Sequence, residues 1–220
     1  MLVGIFAREV LMSTYADKRK ESFNTKLNIF LFRKSINEGL DGIEVNEFVR
    51  YEINDEDIKE YAGVYYQYQF DEEYPLANPN KPPVKVEEIA QNIESWKMKN
   101  SVLIESMEKE YDRLFSNVLL PNKFEEVSKG NKCYYCGITL EDINVLIEKK
   151  KLFKKHETRG YVMEIDRKSP NKEYSTSNVE TCCYWCNNAK TDEFTEDEFK
   201  PIGEMIRNVW VNRGIERLRK

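Results

Sequence analysis

From Ser22 to Ile36, Phe23, Leu27, Phe30, Leu31 and Lys34 recur at spacings of three and four, the stripe of an amphipathic helix. Gly39 follows Asn37-Glu38 and fits a helix stop. Asp41-Gly42 then begins a short element holding Ile43, Val45, Phe48 and Val49, and Asn54-Asp55-Glu56-Asp57 suits the cap of another helix. Tyr61 to Phe70 is rich in aromatics with few interleaved cations. It reads as core or partner-interface packing, because aromatic side chains contribute much of a buried surface. Tyr74 to Val84 holds four prolines and predicts a loop or linker. Beyond it, Ile89, Ile93, Trp96, Leu103, Met107, Tyr111, Leu114 and Val118 recur at close to a 3.5-residue spacing. They predict one long helix over 86–120, with Asn100 as a polar residue in its seam and Pro121 at its end.

The texture changes near Lys129. Leu140 to Leu152 carries a helical stripe, and Tyr161 to Asp166 alternates as a strand with Val162, Glu164 and Asp166 on one face. Val179 to Cys182 predicts a second short strand. Thr195 and Glu198 form a capping-box pattern, and the helix they open buries Phe199, Ile202, Ile206 and Val209 or Trp210. The fold class expected is α+β. A mostly helical N-terminal region over 1–125, suited to docking a partner, precedes a small C-terminal domain over 126–220.

A chain of 220 residues with 40% apolar content can build one large core or two modest ones. No apolar run approaches the ~20 residues of a membrane span, and Met1-Leu2-Val3-Gly4-Ile5-Phe6 is too short for a signal peptide, so a soluble, cytoplasmic protein is expected. The net charge of −5 is unevenly divided. Residues 129–220 carry 18 Lys/Arg against 15 Asp/Glu, and residues 1–128 carry 16 against 24. Lys149, Lys150, Lys151, Lys154, Lys155, Arg159, Arg167, Lys168 and Lys172 form a local basic stripe of the kind that steers a polyanion.

Four of the five cysteines lie in two Cys-x-x-Cys pairs, Cys133/Cys136 and Cys183/Cys186, with 46 residues between them. Four thiolates complete a closed tetrahedral zinc site, which suits a reducing compartment better than a disulfide framework does. Cys182 stands outside that spacing and reads as a buried strand thiol.

Between and beyond the knuckles stand Asp166-Arg167-x-x-Pro170, Asn178 and Cys183-x-x-Cys186-Asn187-x-x-Lys190. Over roughly 130–200 this series resembles the HNH (His-Me finger, ββα-metal) endonuclease family in its zinc-knuckle form. The resemblance implies two short antiparallel strands and a helix around one catalytic divalent ion. It implies structural zinc on Cys133, Cys136, Cys183 and Cys186. It also implies Mg²⁺ or Mn²⁺ on Asp166 and Asn187, with oxygen ligands that suit those ions. Asn178 would tie down the loop between the strands. Lys190 would face a phosphate, joined in nucleic-acid binding by Lys154, Lys155 and Lys168. The implied activity is hydrolysis of DNA phosphodiester bonds, in restriction, phage defence or a mobile element.

Arg167 stands where the family carries its base histidine, and a guanidinium does not accept a proton near pH 7. Similar proteins, phage-type sequences among them, carry the same Asp-Arg pair. Activation of water is left to the ion, to Glu164 on the Asp166 face, or to His156. Two readings stand beside the nuclease: a zinc-stabilised nucleic-acid-binding module that does not cut, and an adaptor that docks a protein partner or a second copy through the N-terminal helices.

Overall fold

The structure is a computed structural model that describes residues 14–67, 73–74, 83–152 and 160–219. They divide into two compact units: residues 19–118 with 171–173, and residues 119–170 with 174–219 and 14–18. The described residues are mostly helical, and their one five-residue strand pair is antiparallel, so the chain is α+β.

In the N-terminal unit, α1 (Tyr15–Asn37) buries Phe23, Leu27, Phe30 and Leu31, the predicted stripe. It stops where Gly39, at φ +98°, turns its N–H back to the Lys34 carbonyl at 2.7 Å. The short α2 (Val45–Arg50) follows, and α3 (Asp55–Gln67) is capped by Asn54, whose Oδ1 accepts from the Asp57 N–H at 2.9 Å. The core is aromatic. Phe48 meets Phe23 and Phe30 edge-on at 5.5 and 5.7 Å, and Tyr111 packs tilted on Phe115 at 5.6 Å. Of the Tyr61–Phe70 cluster, Tyr61 packs edge-on against Phe32 at 5.4 Å. The rest of that cluster and the proline-rich loop over 75–82 lie outside the described residues or side chains. At the two ends of the predicted Tyr74–Val84 loop, β1 (Glu73–Tyr74) and β2 (Val84–Lys85) pair antiparallel.

The single helix predicted over 86–120 is instead two, α4 (Val86–Lys99) and α5 (Ser101–Val118). Asn100 breaks it at φ −116°, ψ 30°. The Trp96 carbonyl accepts both the Asn100 backbone N–H at 3.0 Å and its side-chain amide at 2.9 Å. A short amide side chain that competes for helix carbonyls is the physical reason for a break at that seam position.

Leu119 begins the longest stretch of the C-terminal unit. Helix α6 (Pro121–Ser128) opens with Pro121 as its first residue and packs within the C-terminal unit, where the Val127 carbonyl accepts the Thr181 hydroxyl at 2.8 Å. There, α7 (Leu140–Glu148) starts on a Thr139/Asp142 capping box. Strands β3 (Met163–Arg167) and β4 (Val179–Cys183) then pair antiparallel, Glu164 opposite Cys182 and Asp166 opposite Glu180. Helix α8 (Tyr184–Lys190) leaves β4 directly, and α9 (Glu196–Asn212) begins on the Thr195/Glu198 box.

The buried face of α9 carries Phe199, Gly203 and Trp210, with Ile206 half-buried, whereas Ile202 and Val209 are exposed. The correction turns on Gly203, which is set against Tyr135 so closely that an added Cβ would lie 2.8 Å from the Tyr135 Cβ. A hydrophobicity stripe gives glycine no weight, so it misses a face chosen for close approach. Gly203→Ala should therefore destabilise the protein by about 1–3 kcal/mol through overpacking. Urea denaturation followed by tryptophan fluorescence measures this, and an unchanged midpoint would contradict so close a contact.

Candidate functional site

The first knuckle is a tight turn. Gly137, at φ +74°, lets its N–H reach back to the Cys133 carbonyl at 3.0 Å, and the Cys133 N–H donates to the Ile138 carbonyl at 2.9 Å. The Tyr134 N–H donates to the Thr181 carbonyl at 2.9 Å, which ties this turn to β4 just before the second pair. Cys183 is the N-cap of α8, and its sulfur accepts from the Cys186 N–H at 3.5 Å. Cys133, Cys136, Cys183 and Cys186 are all fully buried, with their sulfurs within 4.8 Å of one another. Among the described residues, no other set of three or more His, Cys, Asp or Glu side chains converges in this way. Cys136 and Cys183 are 3.7 Å apart. A tetrahedron with metal–sulfur bonds of about 2.3 Å has an edge near 3.8 Å, so the group fits a structural zinc ion.

Beside the cluster, α8 lies along one face of β3. Glu164 and Asp166 share that strand face, while Asn187 and Lys190, three apart on the helix, share the side that meets it. The Asn187 amide donates to Glu164 Oε2 at 2.6 Å. The Lys190 ammonium donates to the Arg167 carbonyl at 2.6 Å and stands 3.5 and 3.4 Å from the two Asp166 carboxylate oxygens. The Tyr135 hydroxyl completes the group, donating to Asp166 Oδ2 at 2.7 Å.

Asp166 is 6% exposed and Lys190 is 0% exposed. Burial pushes the Asp166 carboxyl above its usual range, against the opposing pull of the Tyr135 hydrogen bond and the Lys190 charge. Burial, then the Asp166 charge, raises the Tyr135 phenol far above its ordinary value, so it stays a donor.

Asn178 closes the loop between the strands. Its Oδ1 accepts from the Ser169 N–H at 2.8 Å and its Nδ2 donates to the Ser169 carbonyl at 3.1 Å. The Asn178 carbonyl also accepts from the Lys168 N–H at 3.0 Å. Arg167 lays its guanidinium over the Tyr174 ring at 4.9 Å and reaches Asp192 at 3.6 Å. Lys168 pairs with Glu180 at 3.4 Å and stands 5.6 Å from the centre of the Tyr134 ring.

These positions revise the expectations in detail. Asp166 and Asn187 lie on the same strand–helix face, but Asn187 bonds to Glu164 and Asp166 to Tyr135 and Lys190. Lys190 does not face solvent, where it could meet a phosphate; it is sealed inside as the counter-charge of Asp166. Lys154, Lys155 and His156 lie outside the described residues. Sequence reasoning missed Tyr135, which carries no pattern signal between two cysteines, and Tyr174, whose partner is seven residues away.

No family model matches the sequence, and no curated protein does either. Among solved structures, the rare-cutting HNH restriction endonuclease PacI is similar, with 27% identity over 40% of this chain and a TM-score of 0.33. The similar region spans 59% of that chain, under two thirds of its length.

The buried Asp166–Lys190 pair yields a direct prediction. Lys190→Met leaves a buried carboxylate without its counter-charge and should cost about 3–5 kcal/mol. Combining it with Asp166→Asn should restore much of that loss. Urea denaturation of the single and double variants measures the coupling, and strictly additive losses would mean that the two charges do not interact.

Proposed function

We propose that the C-terminal unit is an HNH-type, metal-dependent endonuclease domain that hydrolyses DNA phosphodiester bonds. The observation that carries this reading is a combined one. A four-sulfur knuckle pins a strand–loop–strand–helix unit in which Asp166, Asn178 and Asn187 hold the positions of the motif. Structural zinc belongs on Cys133, Cys136, Cys183 and Cys186. The donors on the β3–α8 face fit a catalytic ion in kind, since Asp166, Asn187 and Glu164 offer hard oxygens of the type that Mg²⁺ and Mn²⁺ prefer. Held by Asp166 and Asn187, such an ion would supply the charge that polarises a scissile phosphate.

The chain's own groups account for the rest. Lys190 and Tyr135 orient Asp166. Asn178 fixes the turn that follows it. Arg167, clamped on Tyr174, offers a permanent positive charge and no base. Glu164 stands on the Asp166 face as the nearest described carboxylate to the Asn187 amide. Lys168, with Lys154 and Lys155, contributes to the surface that attracts a nucleic-acid backbone. In this proposal the acidic N-terminal unit docks a protein partner or a second copy, and the protein works in the cytoplasm. No described helix is long and apolar enough to cross a membrane.

A second reading is a zinc-stabilised module that binds nucleic acid without cutting it. Two observations favour it: Arg167 occupies the base position, and both Asp166 oxygens are already engaged by the chain's own Tyr135 and Lys190. Plasmid incubated with the zinc-loaded protein and Mg²⁺ or Mn²⁺ separates the two. The nuclease reading expects nicking or cleavage that falls by about 10²-fold or more in Asp166→Ala, the scale on which removing one electrostatic contact to the reacting group acts. No cleavage by wild type or variant, with a gel shift that survives Asp166→Ala and is lost in Arg167→Ala, would establish the binding module instead.

A further inference from the structure

Arg167 is held by a ring that the motif does not include. Tyr174 lies between β3 and β4 in sequence, is buried, and belongs with Lys18, Arg167 and Asp192 to the C-terminal unit. Two cations meet its ring. The Arg167 guanidinium stands 4.9 Å from the ring centre and the Lys18 ammonium 4.4 Å from it. Lys18, itself buried, also donates to the Tyr174 hydroxyl at 3.0 Å. The ring is therefore fixed from beneath the surface, and a fixed ring fixes the guanidinium over it.

This contact holds Arg167 through its charge and uses none of its N–H donors. The carboxylate beside it is Asp192, at 3.6 Å, which is too long for a hydrogen bond. The Asp192 side chain is 81% exposed, and an ion pair so open to water contributes little. The Arg167 side chain is 19% exposed, so a ligand can reach it. A guanidinium offers a planar fork that matches two phosphate oxygens, and one already stacked on a ring loses less freedom when it binds. An anion arriving there also meets the Lys18 charge on the same ring.

We propose that Arg167 takes a backbone phosphate of DNA through its guanidinium fork, and that Tyr174, anchored by Lys18, is the positioning residue that holds it ready. The proposal rests on the nucleic-acid reading of the C-terminal unit given above. It gives the residue at the base position a role that needs no proton transfer, and it holds whether or not the site cuts.

The experiment follows binding of the full-length chain to duplex DNA of mixed sequence by fluorescence anisotropy, over a series of salt concentrations and without added Mg²⁺ or Mn²⁺. Arg167→Ala removes the contact, and Arg167→Lys keeps the charge without the fork. Tyr174→Leu removes the ring, and Tyr174→Phe keeps it. Arg167→Ala should weaken binding by about 10- to 100-fold, the scale of one hydrogen bond to a charged group, and should lower the slope of log K against log salt by about one. Tyr174→Leu should lose a comparable factor although it removes no charge, while Tyr174→Phe loses only a few-fold. The double variant Arg167→Ala/Tyr174→Leu should bind no more weakly than Arg167→Ala, because the ring acts through the guanidinium. Losses that add would reduce Tyr174 to packing and overturn its positioning role. Arg167→Lys should lose most of what Arg167→Ala loses. Wild-type affinity in Arg167→Lys would show that any positive charge serves, and would overturn the proposal even where Tyr174→Leu does not fold. Wild-type affinity and slope in Arg167→Ala would remove the phosphate contact and leave the nucleic-acid reading standing. A wild-type chain that binds no DNA would sink that reading, and the proposal with it.

Discussion

Four sulfurs held within 4.8 Å of one another are the constraint on which the C-terminal unit depends. A two-stranded sheet with five residues per strand is marginal in water by itself. Closing the knuckles joins segments 46 residues apart. It sets the turn at Cys133–Gly137 against the end of β4 and fixes the start of α8, because Cys183 is both cluster member and N-cap. The Tyr134 N–H bond to Thr181 and the Arg207 Nε bond to the Cys136 carbonyl at 3.2 Å then extend that fixed point into β4 and α9.

What α8 contributes follows from two periodicities. Residues three apart on a helix rise about 4.5 Å, and residues two apart on a strand span about 6.6 Å along one face. Asn187 and Lys190 therefore match Glu164 and Asp166 closely enough for each helix side chain to find a strand partner. One pair is half-buried and formally carries one negative charge; the other is buried and balanced, with Tyr135 supplying a further donor to Asp166. An uncompensated carboxylate at that depth would be strongly destabilising, which explains why a fully buried lysine lies next to it.

The elements most legible in the sequence were those whose cause is local. Asn54 and Thr195 signalled helix starts through capping chemistry that acts within a single turn, and the Phe23–Leu31 stripe marked a buried face. The paired Cys-x-x-Cys spacing announced a sulfur cluster because that spacing is itself the geometry of a knuckle. Less legible were features set by what lies across the fold. The apolar repeat runs through Asn100, and nothing in the repeat shows that the Trp96 carbonyl takes two bonds there and ends the helix. Nor does a hydropathy pattern show that Gly203 is the contact residue of α9.

The candidate site divides along the same line. By itself the sequence determined that four cysteines form one cluster, and it singled out Asp166, Asn178 and Asn187 by their spacing along the chain. Only the tertiary structure decided what each of them bonds to. The resemblance set Lys190 against a phosphate, yet packing α8 on β3 removed it from water and made it the partner of Asp166. Tyr135 became the second partner because its ring is held between the first knuckle, Phe199 and Gly203. Burial and pairing belong to surfaces brought together from distant parts of the chain, and residue spacing alone carries no record of them.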